Sequence, residues 1–171
     1  MKPNATPFYD QSDNTTGCCA LFNPEGWDGQ ELHFRNKPFL RATTRSLAHI
    51  PMNIGRVFAR VQDHLTRADA VDPDHFLVLS RELSASQGEH LFAVTREVPD
   101  EEMISLSGNF LTKVFHGPFA DQPHWASQLR AIAEDHGEAP GEVWFFYTTC
   151  PKCAKAYGQN PVVGLVELRN A

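Results

Sequence analysis

The chain has 171 residues, 42% of them hydrophobic, and carries a formal net charge of -6 with a pI of about 5.7. That length buries one substantial core and is short for two ordinary independent domains. The acidic balance, without any basic run, excludes a phosphate-binding face and so nucleic acid as a partner. No stretch reaches the roughly 20 apolar residues of a membrane span, and the N-terminal residues MKPNATPFYDQSDNTTG lack the apolar core of a secretory signal. The expectation is a cytoplasmic monomer or homodimer whose four cysteines are reduced thiols or metal ligands.

Residues 1–17 are polar and broken by Pro, Asn, Asp and Thr, which predicts a poorly ordered tail that docks by Phe8 and Tyr9. Cys18-Cys19-Ala20-Leu21-Phe22 is a short apolar segment closed by the turn residues Asn23-Pro24-Glu25-Gly26, and Trp27 follows before Asp28-Gly29. Leu32 to Lys37 suits a short strand ending at Pro38. Residues 1–38 therefore read as an N-terminal extension.

From Phe39 the pattern is regular. Phe39 to Ala48 suits a strand. Pro51 then opens a segment with Ile54, Val57, Phe58, Val61 and Leu65 on one helical face. Strands are predicted at His75 to Leu83 and His90 to Val98, separated by the polar turn at Ser84 to Gly88. Asp100, Glu101 and Glu102 read as a solvated loop. Leu106 to Gly117 is the next strand, closed by Pro118, and Asp121 is placed to cap a helix with Trp125, Leu129, Ile132 and Ala133 on its inner face. Gly137 suits a left-handed residue beyond that helix, with Pro140 further on. Val143 to Thr149 and Pro161 to Leu168 are the last two strands, joined by a loop that carries Cys150 and Cys153. Strand, helix, strand, strand thus occurs twice, as modules 39–98 and 106–168 of a domain spanning 39–171.

The cysteines admit several chemistries. Cys150-Pro151-Lys152-Cys153 has the spacing of a dithiol, although redox pairs usually sit at a helix N-terminus and here a strand precedes them. A structural zinc needs about four ligands, and Cys18, Cys19, Cys150 and Cys153 supply four if the N-terminal extension returns to the loop. Adjacent cysteines on an extended segment point opposite ways, which weighs against that arrangement. The cofactor expectation is therefore none, or structural zinc. A cysteine nucleophile paired with His116 or His49 is a further alternative.

The string KVFHGPF at Lys113 to Phe119, followed by a helix with Trp125, resembles the corner of the gyrase-inhibitor-like small-molecule-binding domain. More narrowly, FNPEGWDG, IPMNIGRVF, SGNFLTKVFHGPF and YTTCPKCAKAYGQNPVV resemble bacterial proteins labelled hydrolase that are similar to this domain. The resemblance implies an α+β fold in which two pseudo-symmetric strand-helix-strand-strand modules form a curved antiparallel sheet with both helices on one face. It also implies a central cleft for a small hydrophobic or aromatic ligand, bound by ring stacking and a buried carboxylate. Candidate ligand-binding residues are Trp125, Phe145, Tyr147, Glu142 and Trp27. Phe145 and Tyr147 share one strand face, while Trp144 and Phe146 share the other. The carboxylate candidate is Glu82, then Glu142. Should the cleft hydrolyse reactive small molecules, the candidate catalytic residues are Glu82, Tyr147 and His116.

Overall fold

The protein, in a computed structural model, is described over residues 1–170. It is α+β, with seven strands and three α-helices among the described residues, and every strand pairing with a defined register is antiparallel. No helix among the described residues is long and apolar enough to cross a membrane. The chain divides into two compact units, Asn36–Leu106 and Met1–Arg35 with the chain from Ser107 onward. Strand, helix, strand, strand recurs in both.

In the unit of residues 36–106, strand β1 (Glu31–Leu47) enters the sheet, the two-residue strand β2 (Ile50–Pro51) folds back on it, and helix α1 (Ile54–Ala68) follows. Strands β3 (Val78–Ser84) and β4 (Gln87–Ala93) complete the strand order β2-β1-β4-β3. The stripe read from the sequence is the buried one: Val57, Val61 and Leu65 face inward. Each such side chain contributes on the order of 1.5–3 kcal/mol by leaving water. Phe58 sets its ring edge-on to Phe92 at 5.1 Å and to His90 at 4.9 Å. Asp69 ends the helix in the left-handed conformation, its N–H reaching the carbonyls of Leu65 and Thr66.

Several expectations for this unit are corrected. Pro38 does not break the chain into two strands. β1 runs through it, and because the ladder with β4 begins at Phe39 opposite Ala93, the missing N–H falls just outside that ladder. Pro51 lies in β2, and the helix starts three residues later. Glu101 is not solvated: its side chain is 4% exposed and accepts from Arg60 Nε at 3.0 Å and pairs with His64 Nδ1 at 2.8 Å. A carboxylate that deep requires such partners.

In the other unit, strand β5 (Glu102–His116) leads through a short turn at Phe119–Asp121 into helix α2 (Gln122–Asp135). Strand β6 (Glu138–Tyr147), helix α3 (Pro151–Tyr157) and strand β7 (Pro161–Asn170) follow, with order β6-β7-β5. β6 begins before Val143 because a register shift between Pro140 and Val143 absorbs the proline. Asp121 occupies the first cap position of α2 without making a side-chain cap, while Gly137 is left-handed as expected.

Helix α2 packs Trp125, Leu129 and Ala133 onto Phe115, Phe145, Val162 and Val166. Trp125 stacks on Phe115 at 5.4 Å. Gly164 permits this approach, since a Cβ there would meet Leu129 Cδ1 at 2.5 Å. The opposite face of β6 is covered by the N-terminal segment. Phe146 meets Tyr9 at 6.0 Å, Phe22 at 6.3 Å and Trp27 at 5.6 Å. Trp27 is fully buried and donates from Nε1 to the Phe8 carbonyl at 3.2 Å. Thr112 N–H donates to the Gln30 carbonyl and Gly29 N–H to the Thr112 carbonyl, at 2.9 and 3.0 Å. The first residues are thus part of the core rather than a loose tail, though Phe8 stays exposed and only Tyr9 docks.

Candidate functional site: a four-cysteine centre beside an open groove

Strand β6 is followed by Thr148 and Thr149, both buried, and the chain turns at Cys150 into α3. Thr148 Oγ1 donates to the Pro161 carbonyl at 2.6 Å, tying the exit of β6 to the start of β7. Cys150 takes an extended conformation in the cap position, Pro151 follows at the first helical position, and Cys150 Sγ accepts from Cys153 N–H at 3.4 Å. A spacing of three on one helical turn puts both sulfurs on the same side. The expectation that a turn, and no helix, carries this pair is corrected.

Residues 15–19 bend back from a left-handed Gly17 at φ +71°, so Cys18 and Cys19 are not on an extended strand and their sulfurs lie 3.8 Å apart. This removes the geometric objection to neighbouring cysteines. All four Sγ atoms, of Cys18, Cys19, Cys150 and Cys153, lie within 4.8 Å of one another. Cys150 N–H points at Cys19 Sγ at 3.5 Å. Thr16 Oγ1 lies 3.4 Å from Cys153 Sγ and 3.3 Å from the Tyr157 hydroxyl, and Tyr157 donates to the Cys19 carbonyl at 2.6 Å.

The electrostatics follow from crowding. The Thr16 hydroxyl and the sulfurs and N–H around it draw the Cys153 thiol down to about 6, whereas burial pushes Cys19 up to about 12. One thiolate forms readily, and Cys18 and Cys19 resist a second charge. Burial likewise pushes Tyr9, which feels Cys19 and Tyr157, up to about 12.

Beside this centre lies an open groove of about 510 Å³ lined by His116, Gly117, Pro118 and Phe119 on one side and by Pro151, Ala154 and Gly158 to Asn160 on the other. Asn160 Nδ2 donates to the Gly117 carbonyl at 2.7 Å, joining the two sides. Gly117 has φ +143°, and Trp125 Cζ2 and Asp121 Oδ2 crowd the place a Cβ would take. Phe119 sets its ring edge-on to Tyr147 at 5.5 Å, and Tyr147 stacks on Phe145 at 6.0 Å. His116 is the one titratable side chain among the lining residues, and none of them is acidic.

The other sequence candidates fall elsewhere. Trp125, on the inner face of α2, and Phe145 beneath it are core residues, and Trp27 is core on the opposite face of β6. Glu142 is exposed, its N–H donating to Glu167 Oε2 at 3.1 Å. Glu82 belongs to the unit of residues 36–106, is half exposed and pairs with His49 Nδ1 at 2.7 Å. The carboxylate that is buried is Glu89, overlooked in the sequence. Burial works to raise its pKa, and the guanidiniums of Arg41 and Arg81 overcome that and hold it below the usual range. A carboxylate already held by two arginines does not wait for a cationic ligand. The strict alternation of β4, with Glu89 and Leu91 on one face and His90 and Phe92 on the other, was the available signal.

No curated protein matches the chain. Among solved structures, that of SAV2435 bound to tetraphenylphosphonium aligns with 83% of this chain and 94% of its own, at a TM-score of 0.49 and 8% identity. The description of the bacterial hydrolase family matches residues 9–168, and the chain belongs to that family.

Proposed function

We propose that the chain hydrolyses an uncharged small molecule whose flat apolar body lies in the groove between the 116–119 corner and α3. The observation that carries this reading is the placement of one titratable group, His116, in a groove walled by Pro118, Phe119, Pro151 and Ala154. Rings and prolines bind a flat apolar body by burying area, and the polar end at Gln159 and Asn160 orients it. His116 Nε2 or Nδ1 takes a proton from water as the water oxygen bonds to the electrophilic carbon. The bond to the leaving group then breaks, and the imidazolium returns the proton to it. Family membership supports turnover over binding alone. The lining itself offers no carboxylate to a cationic ligand.

Thermal-shift screening of planar aryl esters and amides, followed by turnover assays, tests the reading. His116→Ala is expected to keep ligand binding and lose turnover by at least about a hundredfold. Phe119→Ala, at an exposed position, is expected to weaken binding about tenfold, the equivalent of roughly 1.4 kcal/mol. Ligands that bind equally well to both variants and turn over at unchanged rates would place the site elsewhere.

A further inference from the structure

We infer that Cys18, Cys19, Cys150 and Cys153 bind one Zn²⁺ in a closed tetrahedral site that fastens the N-terminal segment to α3. The inference goes beyond the proposed reaction and stands independently of it.

The donor set is the first ground. Four thiolates select zinc or iron among biological metals, because soft sulfur excludes the hard, oxygen-seeking cations. Spacing is the second. Zinc–sulfur bonds of about 2.3 Å in a tetrahedron set the sulfurs about 3.8 Å apart. Cys18 and Cys19 already stand 3.8 Å apart, and all four sulfurs lie within 4.8 Å, so small rotations of χ1 close the site around a single ion. A disulfide needs about 2.05 Å, and all four cysteines are free thiols.

The third ground is the surrounding layer. Cys150 N–H and Cys153 N–H each point at a sulfur, at 3.5 and 3.4 Å, and Thr16 Oγ1 reaches Cys153 Sγ at 3.4 Å. Donors aimed at thiolates are what orient and stabilise metal-bound sulfur. Tyr157 holds the Cys19 carbonyl from α3, which fixes the second pair of ligands relative to the first. Four thiolates this close repel strongly, and a divalent cation among them removes that cost.

With four protein ligands the ion has no open position, so its role is structural. The site joins two segments far apart in sequence. α3 supplies Pro151 and Ala154 to the groove, so the ion fixes one wall of it. Free energy of metal binding then becomes free energy of folding for residues 15–19 and 150–157.

Elemental analysis of untagged protein purified under reducing conditions from zinc-supplemented culture is expected to give one zinc per chain. Titration of apoprotein with Co²⁺ is expected to give the intense visible bands of tetrahedral cobalt together with sulfur-to-metal charge transfer. Cys18 is exposed, so Cys18→Ser should keep the fold by circular dichroism while lowering zinc affinity at least about tenfold and altering the cobalt spectrum. Four freely reactive thiols with no zinc bound at excess would overturn the inference. Iron in place of zinc, or zinc held with undiminished affinity by Cys18→Ser, would do the same. Metal content is read without any substrate, so a zinc protein that hydrolyses nothing would sink the proposed reaction and leave this inference standing.

Discussion

Tyr157 donates its phenolic hydrogen to the carbonyl oxygen of Cys19 at 2.6 Å, which binds the end of α3 to a residue 138 positions earlier in the chain. A short tyrosine-to-carbonyl bond at this place closes the four-cysteine centre from outside, and Thr16 Oγ1 lies 3.3 Å from the same hydroxyl and 3.4 Å from Cys153 Sγ.

Replacing Tyr157 by Phe removes that donor and leaves the carbonyl short of a partner. The expected cost is about 1–2 kcal/mol in denaturant unfolding. Cleavage by added protease should concentrate in residues 10–20. Unchanged stability and an unchanged cleavage pattern would mean the bond carries no weight.

Gly164→Ala tests the packing of α2 on the sheet. The new methyl would meet Leu129 Cδ1 at 2.5 Å and Phe115 Cε2 at 2.8 Å, both side chains of a filled core. Overpacking of this kind costs about 1–3 kcal/mol. Leu129→Ala alone costs about 2–5 kcal/mol by leaving a cavity. The double variant should lose less than the sum of the two, because the added methyl occupies the space the leucine vacated. Simple additivity in a denaturation cycle would contradict the contact.

His90 sets a pH dependence. Its ring is buried between Thr44 Oγ1 at 2.9 Å and Ser80 Oγ at 2.7 Å, and burial lowers its pKa from 6.5 to about 4. Above pH 6.5 both the folded and unfolded imidazoles are neutral and the stability is fully present. As pH falls, the unfolded chain takes up the proton first, so stability is lost between 6.5 and about 4. The loss attributable to this residue approaches about 3 kcal/mol. Unfolding measured from pH 7 to 4.5 should show a shallower decline in His90→Gln than in the parent. Parallel profiles would show that His90 is not the source.

Glu89→Gln probes the carboxylate clamped by Arg41 and Arg81. Losing the charge leaves two partly exposed guanidiniums facing each other, and the expected destabilisation is about 1–3 kcal/mol. Salt should relieve part of it, since both arginines remain open to screening. A variant as stable as the parent at low salt would show that the cluster contributes nothing net.

Much of the architecture was legible in the chain because its signals are local. The stripe at Val57, Val61 and Leu65, the left-handed Gly137 and the aromatic strand at Val143 to Tyr147 each report on their own neighbourhood. Non-local facts were not. Residues 1–17 read as a loose tail by composition, yet Tyr9 joins Phe22 and Trp27 in covering Phe146. Only the packed sheet shows that face to be theirs. Glu101 reads as part of an acidic loop, and its partners Arg60 and His64 sit on a helix some forty residues away. In the candidate site, the four cysteines were nameable from the sequence, but their convergence depended on Gly17 turning the chain and on α3 forming at Pro151. The groove escaped notice because its lining comes from a corner and a helix end with no shared motif.

Amide hydrogen exchange with and without a zinc chelator tests most directly whether the cysteine centre ties the N-terminal segment to α3. Protection in residues 12–21 and 150–157 should fall together on chelation, while amides of α2 and β7 keep theirs. Protection unchanged in either segment, or lost uniformly along the chain, would contradict the account.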